Sequence, residues 1–148
     1  MAVLPNSICH GFNQISLDDT HIFSITRTGD CKSLTVELDV AYLLAEHPLS
    51  DGEVLLLERC QLSFSQIAAE KIRYWNTSQL WSEWQPDVKK TLQQIMTSEY
   101  DLSYFTLRGF TDDGNWFEWC IETDHFMLRC GTDHSGLFSI NGEKNGKL

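Results

Sequence analysis

The chain has 148 residues, 21 acidic against 11 basic side chains, and a formal net charge of −10. That charge argues against nucleic-acid and anionic-membrane binding, where a basic footprint is expected, and leaves a basic partner or plain solubility as its use. The length fits one domain over residues 1–148, large enough to bury roughly 68–70% of its unfolded surface without a metal or disulfide.

Residues 1–10 hold no Lys or Arg and no long apolar stretch, so no signal peptide is expected. Nothing approaches the roughly 18 apolar residues of a membrane span. Five cysteines, an odd number without secretory context, read as reduced thiols and point to a cytoplasmic protein.

The first predicted element is a hairpin around Gly29-Asp30, a pair suited to a two-residue type II′ turn. That register sets Ile25 opposite Leu34, Phe23 opposite Val36 and His21 opposite Leu38 on an apolar face, with Ser24, Thr26, Thr35 and Glu37 on the other. Residues 53–65 follow as a central strand, and residues 67–75 are compatible with a helical turn or an extended return. Asn76 and Gln79 are spaced like a capping box. Pro86 fits the first turn of a helix in which Val88, Leu92, Ile95 and Met96 form one stripe.

A third run of strands begins near Ser103 and continues through Cys130. Within it, Asp112–Gly114 reads as a three-residue hairpin loop with Gly114 left-handed. The register then has no freedom. Gly109 faces Phe117, Leu107 faces Trp119 and Phe105 faces Ile121, while Phe110 pairs with Trp116 and Arg108 with Glu118 on the other side. A further turn at Thr123-Asp124 would set Ile121 opposite Phe126, Trp119 opposite Leu128 and Phe117 opposite Cys130. Residues 136–140 suggest a last strand and 141–148 a polar tail. These elements predict an α+β fold: a single antiparallel sheet of about five to seven strands with one or two helices packed on one face.

The sharpest metal-like pattern is Cys120, His125, Cys130 and His134, which could hold a structural zinc. The predicted hairpin puts Cys130 on the opposite sheet face from Cys120 and His125, so the four do not converge, and no metal or cofactor is expected. Thr-Asp-His occurs at Thr123-Asp124-His125 and Thr132-Asp133-His134 and reads as turn chemistry, since Thr and Asp bond nearby backbone. His21, on the apolar face, is the one histidine placed oddly, with Asp18 and Asp19 near it in sequence as orienting partners for a general base. The glycines at 142 and 146 lack the spacing of a phosphate loop.

Aromatic residues are the more suggestive feature. Trp75, Trp81 and Trp84 lie within ten residues, and Trp116 pairs with Phe110 on the outer sheet face. If exposed within an acidic surround, such residues resemble the centre of a protein-binding patch. The expected contact residues are Asp112, Asp113, Trp116, Glu118, Trp81 and Trp84.

The order of a short alternating hairpin ("HIFSITRTGDCKSLTVELDV"), a long strand ("VLLLERCQLSFSQI") and late strands ("YFTLRGFTDDGNWFEWCIE") resembles small acidic α+β proteins of bacteria, among them immunity proteins encoded beside polymorphic toxins. The likeness carries no diagnostic motif and assigns no residue a role. It implies a non-enzymatic inhibitor that neutralises a toxin by stoichiometric binding. The expectation is a non-catalytic module whose partner is another, basic protein. The alternatives are a small enzyme or ligand-binding domain with a pocket between helix and sheet, and a self-associating structural subunit.

Overall fold

Alternating apolar and polar side chains run through most of the chain, and they fold as strands. A computed structural model describes residues 7–75, 82–83, 92–129 and 138–139. Its strands are β1 (Ser7–Ile8), β2 (Ile15–Ser16), β3 (Thr20–Arg27), β4 (Leu34–Leu43), β5 (Leu55–Ser65) and β6 (Ala69–Tyr74). After them come β7 (Ser82–Glu83), β8 (Leu92–Asp101), β9 (Tyr104–Thr111), β10 (Trp116–Glu122), β11 (His125–Arg129) and β12 (Phe138–Ser139). The helical content of the described residues is two three-residue 3-10 turns, Phe12–Gln14 and Pro48–Ser50. The fold is therefore nearly all antiparallel β-sheet, and the α+β expectation is corrected.

The strands follow one hydrogen-bonded path, β1-β11-β5-β4-β3-β8-β9-β10-β6-β7, with β12 against β5 and β2 against β4. β3 is the hinge of this path. Its first two residues pair with β8 (Thr20 with Ile95, His21 with Gln94), and the rest pairs with β4. A first sheet (β1, β11, β5, β4) and a second (β8, β9, β10, β6, β7) diverge from it and face each other.

Phe64 of β5 meets Phe105 of β9 at 4.9 Å between ring centroids. Phe12, carried by the first 3-10 turn, packs edge-on against Phe105 at 4.8 Å and Phe126 at 5.1 Å. Leu34, Val36, Leu38 and Leu62 from one sheet and Leu107, Phe117, Trp119 and Ile121 from the other complete the core.

The β9–β10 hairpin has the register its turn dictates. Gly109 faces Phe117, Leu107 faces Trp119, Phe105 faces Ile121, Phe110 faces Trp116 and Arg108 faces Glu118. Gly114 sits at φ 86°, and Thr111 N donates to the Asn115 carbonyl at 2.8 Å.

Other expectations fail where a bulge resets the alternation. In β3 the pairing steps from Ile22–Leu38 to Ser24–Glu37, leaving Phe23 as an extra residue. Phe23 is therefore 69% exposed, and Ile25 faces Val36 rather than Leu34. The connecting loop is not a II′ turn. Thr28 N bonds the Ser33 carbonyl at 3.0 Å, and the positive φ falls on Cys31 rather than Gly29.

Leu92, Ile95 and Met96 belong to β8, not to a helix, and Val88 lies outside the described residues. The extra residue at Gln93 sets Leu92 and Ile95, both buried, three apart, and a second extra residue follows at Met96. Bulges thus imitate the spacing of a helical stripe. The ambiguous residues 67–75 contain strand β6. The turn at Thr123-Asp124 does not return the chain to β10. It carries the chain across to the first sheet, where β11 pairs with β5.

One inward carboxylate spans the two sheets. Glu70 of β6 accepts both Arg27 guanidinium nitrogens, at 2.7 and 2.5 Å, and the Trp119 indole N–H at 2.6 Å. Its side chain is 8% exposed and that of Arg27 12%.

Removing either partner takes the two-pronged ion pair from the other charge. Glu70→Leu and Arg27→Met should each cost about 3–5 kcal/mol, and the double variant clearly less than their sum, in a chemical-denaturation cycle. Leu107, fully buried opposite Trp119, should cost on the order of 2–5 kcal/mol as Leu107→Ala. A Cβ at Gly109 would lie 1.8 Å from the Gln94 carbonyl oxygen of the adjoining bulge. Gly109→Ala should therefore destabilise by on the order of 3 kcal/mol, against near-neutrality at the open Gly29.

Candidate functional site

The outward side chains of β6, β10 and β9 form straight cross-strand rows, because Glu118 pairs with both Arg73 and Arg108. In that row the Glu118 carboxylate accepts Arg73 Nε at 2.8 Å on one side and Arg108 Nε at 2.9 Å on the other. Arg108 also reaches Glu99 of β8 at 3.6 Å. Glu118 is only 7% exposed although it lies on an outer face, since two long arginines cover it.

The next row toward the hairpin end is aromatic. Trp75 N donates to the Trp116 carbonyl at 3.0 Å, placing these residues side by side, and Phe110 lies across from Trp116. The Phe110 and Trp116 rings pack edge to face at 5.1 Å. The Arg73 guanidinium sits 4.7 Å from the Trp75 ring, tying the two rows together. Trp75 is 37% and Phe110 36% exposed, and Trp116 is half-buried. Sequence spacing alone did not connect Trp75 to this pair. The signal was present in Arg73 and Trp75, two apart on one strand as Glu118 and Trp116 are on its neighbour.

The expected contact residues separate by chemistry. Trp116 is in the aromatic row, and Asp112 is exposed beside it in the hairpin loop. Asp113 is exposed but engaged, accepting from the Thr111 hydroxyl and from Asn115 Nδ2 at 2.8 Å. Glu118 is the buried centre of the ion-pair row and is not a free acidic contact. Trp81 and Trp84 lie outside the described residues.

His21 is not on the apolar face, because the bulge at Phe23 turns it outward. Its ring Nδ1 is 3.4 Å from Asp39, not Asp18 or Asp19, and Asp39 also accepts the His21 backbone N–H at 2.9 Å. Cys120 is buried in the second sheet, 3.5 Å from the Thr106 hydroxyl, while His125 lies on the first. Cys130 and His134 are outside the described residues, as is the second Thr-Asp-His. Among the described residues no group of three or more His, Cys, Asp or Glu side chains is arranged to hold a metal ion.

The first Thr-Asp-His is turn chemistry. The Thr123 hydroxyl donates to the Ser65 carbonyl at 2.5 Å and accepts the His125 N–H at 3.2 Å. His47, which the sequence did not single out, is buried. One ring nitrogen accepts the Leu49 N–H at 3.1 Å, and the other lies 2.9 Å from the His10 carbonyl. It fixes the second 3-10 turn against the N-terminal segment.

No family model matches the chain, and neither a curated protein nor a solved structure matches it. Among the described residues no helix is long and apolar enough to cross a membrane.

Two measurements check this geometry. Glu118→Ala removes the carboxylate that Arg73 and Arg108 share, leaves Arg108 its longer contact with Glu99, and should cost on the order of 1–3 kcal/mol in denaturant titration, much for an outer sheet face. The Asp124 carboxyl is held below the usual aspartate range by the Tyr100 hydroxyl, which donates to it at 2.5 Å, with Ser103 and His125 adding to the effect. Its contribution to stability is present above the unfolded-state value and is lost as pH falls through the lower folded one. Tyr100→Phe should move the Asp124 midpoint upward in an NMR titration.

Proposed function

We propose that this protein is a non-catalytic binding module that engages another protein through the outer face of its second sheet. The observation that carries the reading is the row of Trp75, Trp116 and Phe110, partly exposed and bordered by a charge-compensated row. Rigid aromatic side chains lose little conformational entropy on docking, and they supply the apolar centre that hot spots require. The net charge of −10 favours a basic partner, attracted over distance and oriented at the rim by Asp112.

The specific version is a cytoplasmic immunity protein that neutralises a toxin by stoichiometric binding. Its support is the acidity and the aromatic row, since the all-β fold removes the α+β part of the likeness that suggested it.

The test is capture by the tagged full chain from the cell that encodes it, followed by binding measurements with the captured protein. One basic partner at equal stoichiometry is expected, with Trp116→Ala weakening it by about 2 kcal/mol or more at unchanged thermal stability. Asp112→Lys should slow association and flatten its salt dependence. Unchanged affinity in Trp116→Ala would remove the aromatic row from the interface. Concentration-dependent sedimentation abolished by the same substitution would replace the partner by a second copy of this chain.

A further inference from the structure

The first sheet carries a different surface on its outer face, independent of the reading above. Outward side chains of β4, β5 and β11, among them Thr35, Gln61, Ser63 and Met127, line a trough of about 650 Å³. Pairing sets them in rows, Thr35–Ser63–Met127 and Glu37–Gln61–Arg129, with Ser65 beside His125. The Thr35 and Ser63 hydroxyls are 3.0 Å apart, and Gln61 Nε2 donates to Glu37 at 3.1 Å.

Arg129 is the anomaly in this surface. Arg27, Arg73 and Arg108 all end on carboxylates. Arg129 meets none among the described residues, and its Nε is directed at the Met127 thioether, 3.4 Å away and a weak acceptor. In a chain with 21 acids against 11 bases, an arginine left on a sulfur in a polar trough is available for an outside anion. The other charged groups around the trough limit that anion. Asp124 lines it and Glu37 borders it, so a dianion is opposed where a single carboxylate is tolerated.

The hydroxyls of Thr35, Ser63 and Ser65 offer donors and acceptors together, which suits a hydroxylated body. Phe64 and Phe126 also border the trough, with their side chains in the buried core cluster. The volume is that of a small-molecule site.

We propose that the trough binds a uronic-acid saccharide. Its carboxylate pairs with the Arg129 guanidinium, and its hydroxyls lie along Ser63 and Thr35, with His125 at the far end, four residues and about 13 Å along β11.

The experiment is amide NMR titration of the full chain with glucuronate, glucose and inorganic phosphate in parallel. Expected are saturable shifts at Ser63, Met127 and Arg129 with glucuronate, weaker ones with glucose and no saturation with phosphate. Arg129→Gln, an exposed position, should raise the glucuronate dissociation constant about tenfold or more and leave the glucose response unchanged. Ser63→Ala should weaken both sugars. Absence of saturable shifts with glucuronate overturns the proposal. So does equal saturation by phosphate, which would mark a bare-anion site, or an Arg129→Gln protein that binds glucuronate unchanged.

Discussion

The two sheets close around an inward-facing carboxylate, that of Glu70. Glu70 faces inward from β6, where an ionised group without partners costs several kcal/mol. Relief comes from two directions, the Trp119 indole on the neighbouring strand and the Arg27 guanidinium from the opposite sheet. Arg27 can reach it only if its side chain points inward at the end of β3. The bulge at Phe23 secures this by shifting the inward set from Thr20 and Ile22 to Ile25 and Arg27. An exposed phenylalanine is the cost of that shift. The charge pair fixes the relative placement of the sheets, whereas the phenylalanine layer of Phe12, Phe64, Phe105 and Phe126 supplies the larger, less directional share of cohesion.

A second constraint acts through backbone rather than charge. β8 carries two extra residues against β9, and one of these irregularities presses the Gln94 carbonyl onto the site where Gly109 lacks a side chain. Bulges bend a strand and increase its twist. Here they let β8 join β9 along its length and still meet the first two residues of β3. The second sheet is thereby turned over the first, and the outer rows of β9, β10 and β6 are left straight. The ion-pair row and the aromatic row are consequences of that straightness, since both need side chains directly opposite across three strands.

The two outer faces differ in how their charge is settled. On the second sheet Glu118 and Glu99 together balance Arg73 and Arg108, and Glu118 is itself covered by the two arginines, so the neighbouring aromatics stand beside a compensated surface. On the first, hydroxyls and one arginine that meets no carboxylate among the described residues line an open trough. A surface of the first kind suits an apolar, protein-sized contact. One of the second kind suits a small, hydrated, singly charged ligand.

By itself the sequence determined what short-range geometry controls. The Asp112–Gly114 loop imposed the β9–β10 register residue by residue, because one left-handed glycine allows a single pairing there. The length and alternation of residues 53–65 likewise mark the central strand of the first sheet. Bulges were not legible, since they depend on a partner strand that the local sequence does not name. At Phe23 a bulge moved His21 outward, and at Gln93 a bulge gave a strand the spacing of a helix. Which sheet β11 joins was equally hidden, because the apolar alternation of Phe126 and Leu128 fits β10 and β5 alike. Only the tertiary structure decided that choice, along with the pairing of Glu70 with Arg27 and the trough that Arg129 lines. Each depends on residues distant in the chain being brought to one surface by the closing of the two sheets.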